Sequence, residues 1–133
     1  MEREHVPDPA EQIIVLPAEP ASAARAREFI RSLLRRSPHH ALEDAAVLCV
    51  TELVANASLH TRSRRCVVRL VEHLDDIVIE VGDENSELPA LAPLPPDAEH
   101  GRGLRIVDAL AGEWGVRRRP DDGKCVWLRL CDA

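Results

Sequence analysis

Aromatic side chains are almost absent from this sequence. Phe29, Trp114 and Trp127 are the only three in 133 residues, and there is no tyrosine. That excludes a core built on stacked rings. The interior must come from Leu, Val, Ile and Ala, in a chain that is 45% hydrophobic. No apolar run approaches the length that spans a bilayer, which argues against a transmembrane helix. No pair of cysteines has CxxC spacing. Cys49, Cys66, Cys125 and Cys131 each stand in an apolar stretch, so small buried thiols are expected, not zinc ligands or disulfides. Positive charge is in deficit. A formal net charge of −6 argues against bulk attraction to nucleic acid or to an anionic membrane. Arginine does cluster locally, in "RSLLRR", "TRSRR" and "VRRRP". Each cluster taken alone reads as a solvated, solubilising face. The opening "MEREHVPDPAEQ" is acidic and proline-bearing, unlike a signal peptide. A soluble, cytoplasmic protein is expected.

What is present suits one compact domain, expected over residues 11–133 behind a flexible tail of residues 1–10. "EQIIVLPAE" gives a short β-run ended by Pro17. "SAARAREFIRSLLRR" places Ala23, Ala26, Ile30, Leu33 and Leu34 at helical spacing, with Ser22 placed as an N-cap and Pro38 as a breaker. A second helix is expected from about Ala41 to His60. "CVVRLVEH" and "DIVIEVGD" read as two strands joined by "LDD". In the second strand Ile77, Ile79 and Val81 point one way, and Val78 and Glu80 the other. "ENSELPALAPLPPDAEH" breaks the pattern, with four of the ten prolines. A loop of this kind inside a compact domain suggests a lid or a binding loop. "GRGLRIVDALAG" resumes as a glycine-led helix with Gly112 as its stop. "EWGVRRR" and "KCVWLRL" read as a final hairpin around "PDDG". No internal repeat is visible. Helices on one face of a mixed, largely antiparallel sheet would bury it, which is an α+β, two-layer α/β sandwich.

The chemistry concentrates in "TELVANASLH", residues 51–60. Glu52, Asn56 and His60 lie four apart and cover an arc of about 80° on the helix. Ala45, Leu48, Cys49 and Leu59 project close to the same arc, so the polar line is not on a clean solvent face. A carboxylate in such surroundings needs a partner or an aqueous pocket. One reading is that Glu52 and Asn56 tie down nearby backbone groups. The other is chemical. An amide oxygen at Asn56 can ligate Mg²⁺, which takes oxygen donors and usually keeps waters and substrate phosphates. A carboxylate one turn earlier, about 6 Å away, could then accept a proton from an attacking hydroxyl or water. "VGDEN" ends a strand with Asp83, where a carboxylate can accept hydrogen bonds from an amino group. "HGRGLRIV" puts Gly101 and Gly103 at a helix start, where free N–H groups and the helix dipole favour phosphate.

The order "ELVANASLH", "VGDEN", proline-rich loop, "GRGLRIV" resembles the GHKL ATP-binding superfamily of gyrase-type, heat-shock-chaperone, histidine-kinase and mismatch-repair ATPases. These segments look like its N box, first glycine box, ATP lid (about residues 84–100) and second glycine box. The resemblance covers roughly residues 10–131. "TELVANA" and "GKCVWLRL" are phrased as in the small anti-sigma-factor serine/threonine kinases. A histidine-kinase fragment fits less well, since these 133 residues hold no long helical dimerisation segment. The resemblance implies the histidine-kinase-like ATPase fold, with ATP and Mg²⁺ as cofactors. It matches Glu52 to the general base, Asn56 to the Mg²⁺ ligand and His60 to the residue closing the N box. It matches Asp83 to the acid that meets the adenine amino group. Gly101, Arg102, Gly103 and Leu104 match the phosphate-binding segment. The first glycine box often has glycine two residues after its Asp. Asn85 stands there and can tolerate a positive φ. The last strand often begins with Thr near that Asp, and Cys125, a weak donor, is read at that place. The implied partner is a protein (a sigma factor, an anti-sigma antagonist or both), with no direct nucleic acid or membrane contact and with a homodimer admitted. The rival function is a non-catalytic, nucleotide-gated protein-binding module of the same fold.

Overall fold

The computed structural model describes residues 10–60, 64–83, 99–118 and 124–131. Its elements run β1 (Glu11–Pro17), α1 (Ser22–Leu34), a 3-10 turn (His40–Leu42), α2 (Glu43–His60), β2 (Arg65–Glu72), β3 (Asp76–Asp83), α3 (Glu99–Leu110), β4 (Glu113–Arg118) and β5 (Lys124–Cys131). The strands form one sheet in the order β1-β2-β3-β5-β4. All four neighbouring pairs are antiparallel, so no parallel pair makes the sheet mixed.

The helices cover one face. Leu16, Cys66, Val68, Leu70, Ile77, Ile79, Val81, Leu128 and Leu130 point into that layer and are buried. They meet Ala26, Ile30 and Leu34 of α1, and Ala46, Cys49, Val50, Leu53 and Val54 of α2. The spacing of the α1 set is the apolar stripe read from the sequence. α2 is apolar on most of its surface because it packs between α1 and α3 and also rests on β3. Ser22 is the first residue of α1 and makes no cap to a helix N–H; its hydroxyl donates to the Pro17 carbonyl and ties the helix to β1. Gly112 follows α3, but its N–H goes to the Arg129 carbonyl at 2.9 Å. The helix therefore stops by handing its chain to the sheet, and no left-handed glycine cap is involved. Of the four free cysteines, Cys131 is exposed and the other three are buried.

The outer sheet face carries a polar line that crosses all five strands. Arg69 on β2 donates to Glu11 on β1 at 2.6 Å and to both carboxylate oxygens of Glu80 on β3 at 2.7 Å. The Cys125 thiol on β5 donates to Glu80 at 3.3 Å, and Arg117 on β4 reaches Glu80 at 3.1 Å. Arg117 also lies over the Trp127 ring, 5.9 Å from its centroid. Burial alone would raise the pKa of Glu80. The hydrogen bonds and charge of Arg69, with Cys125 and Arg117, outweigh it and hold the carboxyl below its ordinary 4.5. A carboxyl depressed in the folded state contributes stability above its unfolded pKa and loses it as pH falls through the folded one. Glu80 should therefore steepen acid unfolding below about pH 4.5. Urea unfolding of Glu80→Gln across acidic pH should show a shallower acid limb than wild type; an unchanged limb would remove Glu80 from the account of acid stability.

Candidate functional site

Both ends of α2 can be placed from its neighbours. Just before it, His39 Nε2 is 2.7 Å from the His73 carbonyl oxygen, and the Ser37 hydroxyl donates to the Glu72 carboxylate. α2 therefore starts at the sheet end where the β2–β3 hairpin turns. It finishes at His60, five residues before β2 begins at Arg65, and so runs to the opposite end. β3 finishes at that end with Asp83, and β5 begins there with Lys124. α3 runs the other way. Its last residues lead into Gly112 beside Arg129, at the hairpin end, so its N-terminal turn faces the Asp83 end. The fold thus brings the end of "TELVANASLH", the end of "DIVIEVGD" and the start of the "GRGL" helix to the same end of the molecule.

Glu52 and Asn56 are half-buried on α2, beside the fully buried Cys49, Leu53 and Val54. Neither side chain hydrogen-bonds or ion-pairs with any described residue. Thr51 next to them shows the contrast, since its hydroxyl donates to the Val47 carbonyl at 2.6 Å. The reading in which Glu52 and Asn56 tie down backbone groups therefore finds no support among the described residues. The Glu52 charge is felt one turn back. Burial, and then the Glu52 carboxylate, push the Cys49 thiol up to about 11. Cys49 is consequently a neutral thiol at pH 7 and no nucleophile.

The remaining candidates are placed by their backbone. His60 closes α2, and Asp83 closes β3 in register with Cys66 and Lys124. Gly101, Arg102, Gly103 and Leu104 lie inside α3, which begins at Glu99, two residues before "GRG". Only the first four N–H groups of a helix lack an intrahelical acceptor. Counted from the cap position before Glu99, Gly101 is the last of them, and Arg102 and Gly103 come too late. Asn85 and the lid loop fall outside the described residues, apart from Glu99 and His100, which open α3.

Cys125 requires a correction. The register pairs it with Gly82, whereas Asp83 pairs with Lys124. Side chains alternate faces along a strand. Cys125 is therefore on the outer face, bonded to Glu80, and Asp83 is on the helix face. Burial and then the Glu80 charge push its thiol up to about 12. The strand position opposite Asp83 belongs to Lys124, and a weak thiol donor at the base of the nucleotide is not part of this site.

Among the described residues no three His, Cys, Asp or Glu side chains gather into a metal cage. A Mg²⁺ held chiefly by phosphates and waters needs no such cage, and one amide oxygen with a nearby carboxylate suits it. A helix N-terminus at the same end suits the phosphates. A family model described as the histidine kinase-like ATPase domain matches residues 16–130. The chain belongs to that family. Membership implies ATP binding, and the matched span runs from the end of β1 to the last residue but one of β5. Among curated proteins none matches. No helix among the described residues is long and apolar enough to cross a membrane.

Sequence reasoning missed the outer-face line of Glu11, Arg69, Glu80, Cys125 and Arg117. Its signal was there to find, as charged residues of opposite sign at the outward positions of neighbouring apolar strands. Pairing them required the register.

Proposed function

We propose that the chain is an ATP- and Mg²⁺-dependent regulator of the anti-sigma-factor serine/threonine kinase type, phosphorylating a protein antagonist, sequestering a sigma factor, or both. Asn56 would hold Mg²⁺ through its amide oxygen, the first-turn N–H groups of α3 would meet the phosphates, and Asp83 would accept a hydrogen bond from the adenine amino group. Bound ATP supplies the phosphoryl group, and Mg²⁺ supplies charge that offsets the phosphates. Glu52 acts as the base, its carboxylate taking the proton of an attacking serine hydroxyl.

The observation that carries this reading is the pair of half-buried polar side chains, Glu52 and Asn56, which have no described protein partner. They stand on the helix that runs toward the end of the sheet where β3 finishes at Asp83, in a chain of the histidine kinase-like ATPase family. Asn56→Ala should lose Mg²⁺-dependent ATP binding at unchanged circular dichroism. A variant that binds Mg²⁺–ATP like wild type would end the metal assignment.

A further inference from the structure

The outward side of the helix layer is uneven. A surface helix normally turns polar residues to water. α1 does so with Arg25, Glu28 and Ser32, and α3 with Arg105 and Asp108, all exposed. α2, which lies between them, does not. Its inward side is marked by the buried Ala46, Val50, Leu53 and Val54. At about 100° per residue the opposite side holds Asp44, Leu48, Thr51 and Ala55, with Glu52 at its margin. Leu48 is 44% exposed. Thr51 donates its hydroxyl proton to the Val47 carbonyl. The outward row of α2 is thus largely apolar, and it runs alongside Glu52.

The other margin of this row is basic. β1 ends at the Asp83 end of the sheet, where Pro17 stands opposite Arg65, so α1 starts there and runs antiparallel to α2. Arg31, late in α1, and Arg35 just after it reach Glu43 at the start of α2, at 3.9 and 3.6 Å. Arg27 is one turn before Arg31 on the same side of α1, so it stands about one turn further along α2, beside Val47 and Leu48. It is half-buried, and no described carboxylate pairs with it. Glu52 lies across Leu48 from it, because the Glu43 side of α2 faces α1 and Glu52 is turned about 180° from Glu43.

We infer that this strip is where the protein substrate docks. An acidic side chain of the partner meets Arg27, an apolar one covers Leu48, and the serine arrives over Glu52. The inference rests on the kinase reading above and adds the partner's chemistry to it. A guanidinium with no acid of its own selects an acidic group at the rim, and the apolar row takes an uncharged anchor at the centre. Packed helix axes lie about 8–10 Å apart, and a step of four residues along α2 rises about 6 Å. In an extended segment at about 3.3 Å per residue, the acid is then about three residues from the apolar anchor, and the serine about two residues beyond it.

The probes are serine peptides of that spacing with Leu as the anchor and Glu, Gln or Lys at the acidic position. Each is titrated against the full chain, with and without Mg²⁺ and a non-hydrolysable ATP analogue, and then assayed for transfer from ATP. Wild type should bind the Glu peptide tighter than the Lys peptide by on the order of tenfold. Arg27→Glu should reverse that order, and Leu48→Asp should weaken every peptide by on the order of tenfold, both at unchanged circular dichroism and ATP affinity. A reversed preference cannot come from a misfolded variant. Selective binding without transfer supports the strip and overturns the kinase reading. Transfer with no preference for Glu, or with a preference that Arg27→Glu leaves unmoved, overturns the strip and leaves the kinase reading standing. Failure of every peptide to bind overturns the strip as well. So does sedimentation in which Leu48→Asp turns a dimer into a monomer, which would give the row to a second copy.

Discussion

Glu52→Gln is expected to slow phosphate transfer by on the order of 10²–10⁴ while ATP affinity holds or rises slightly. Glutamine keeps the shape of the side chain and a carbonyl acceptor, but it cannot take up a proton at neutral pH. Removing a negative charge near the phosphates should not weaken binding. Stability should change little, because Glu52 bonds no described residue and sits only half-buried on α2. The Cys49 thiol should become slightly easier to ionise, since one of the two causes of its raised pKa is the Glu52 charge. The assay is transfer to a partner that wild type phosphorylates, or ATP hydrolysis where no partner is in hand. A stable Glu52→Gln protein working at the wild-type rate would end the catalytic role. The nucleotide-gated binding module would then be the better account of residues 51–60.

Arg69→Ala is expected to cost the fold about 2–4 kcal/mol, a large part of the roughly 5–15 kcal/mol that holds a domain together. The guanidinium answers two carboxylates at once, and their side chains are only 8% and 13% exposed at Glu11 and Glu80. Removing it leaves two negative charges close together with little water. The cost lies below that of breaking a fully buried pair because Arg69 itself is 32% exposed and solvent screens part of the interaction. Arg117 stays within 3.1 Å of Glu80 and softens the loss on that side. The urea midpoint should fall accordingly. Arg69→Met combined with Glu80→Leu should recover part of it, since apolar replacement of both partners removes the stranded charge. A midpoint unmoved by Arg69→Ala would mean that the line contributes nothing to stability.

Much of the fold was legible because the helices and strands keep their own apolar periods. Ala23, Ala26, Ile30 and Leu34 announce a helix face, and Ile77, Ile79 and Val81 a strand face; all seven are buried as that pattern requires. The strand order was not legible. Nothing local says that β5 inserts between β3 and β4, and that insertion makes every pairing antiparallel. The site was legible in part. Spacing put Glu52, Asn56 and His60 on one arc of α2, and the motif order pointed to Asp83 and the start of α3. What spacing could not supply was register. A shift of one residue along β5 separates Lys124, opposite Asp83, from Cys125, which faces the other way and belongs to the Glu80 line.

Every functional assignment made to this chain depends on ATP binding through Mg²⁺ at the Asp83 end of the helix layer. Isothermal titration of the wild-type chain with ATP, in the presence of Mg²⁺ and again with the metal chelated, tests that binding most directly. Saturable one-to-one binding is expected with Mg²⁺, with a clear loss of affinity without it. No heat of binding in either titration, or the same affinity in both, would contradict the assignment.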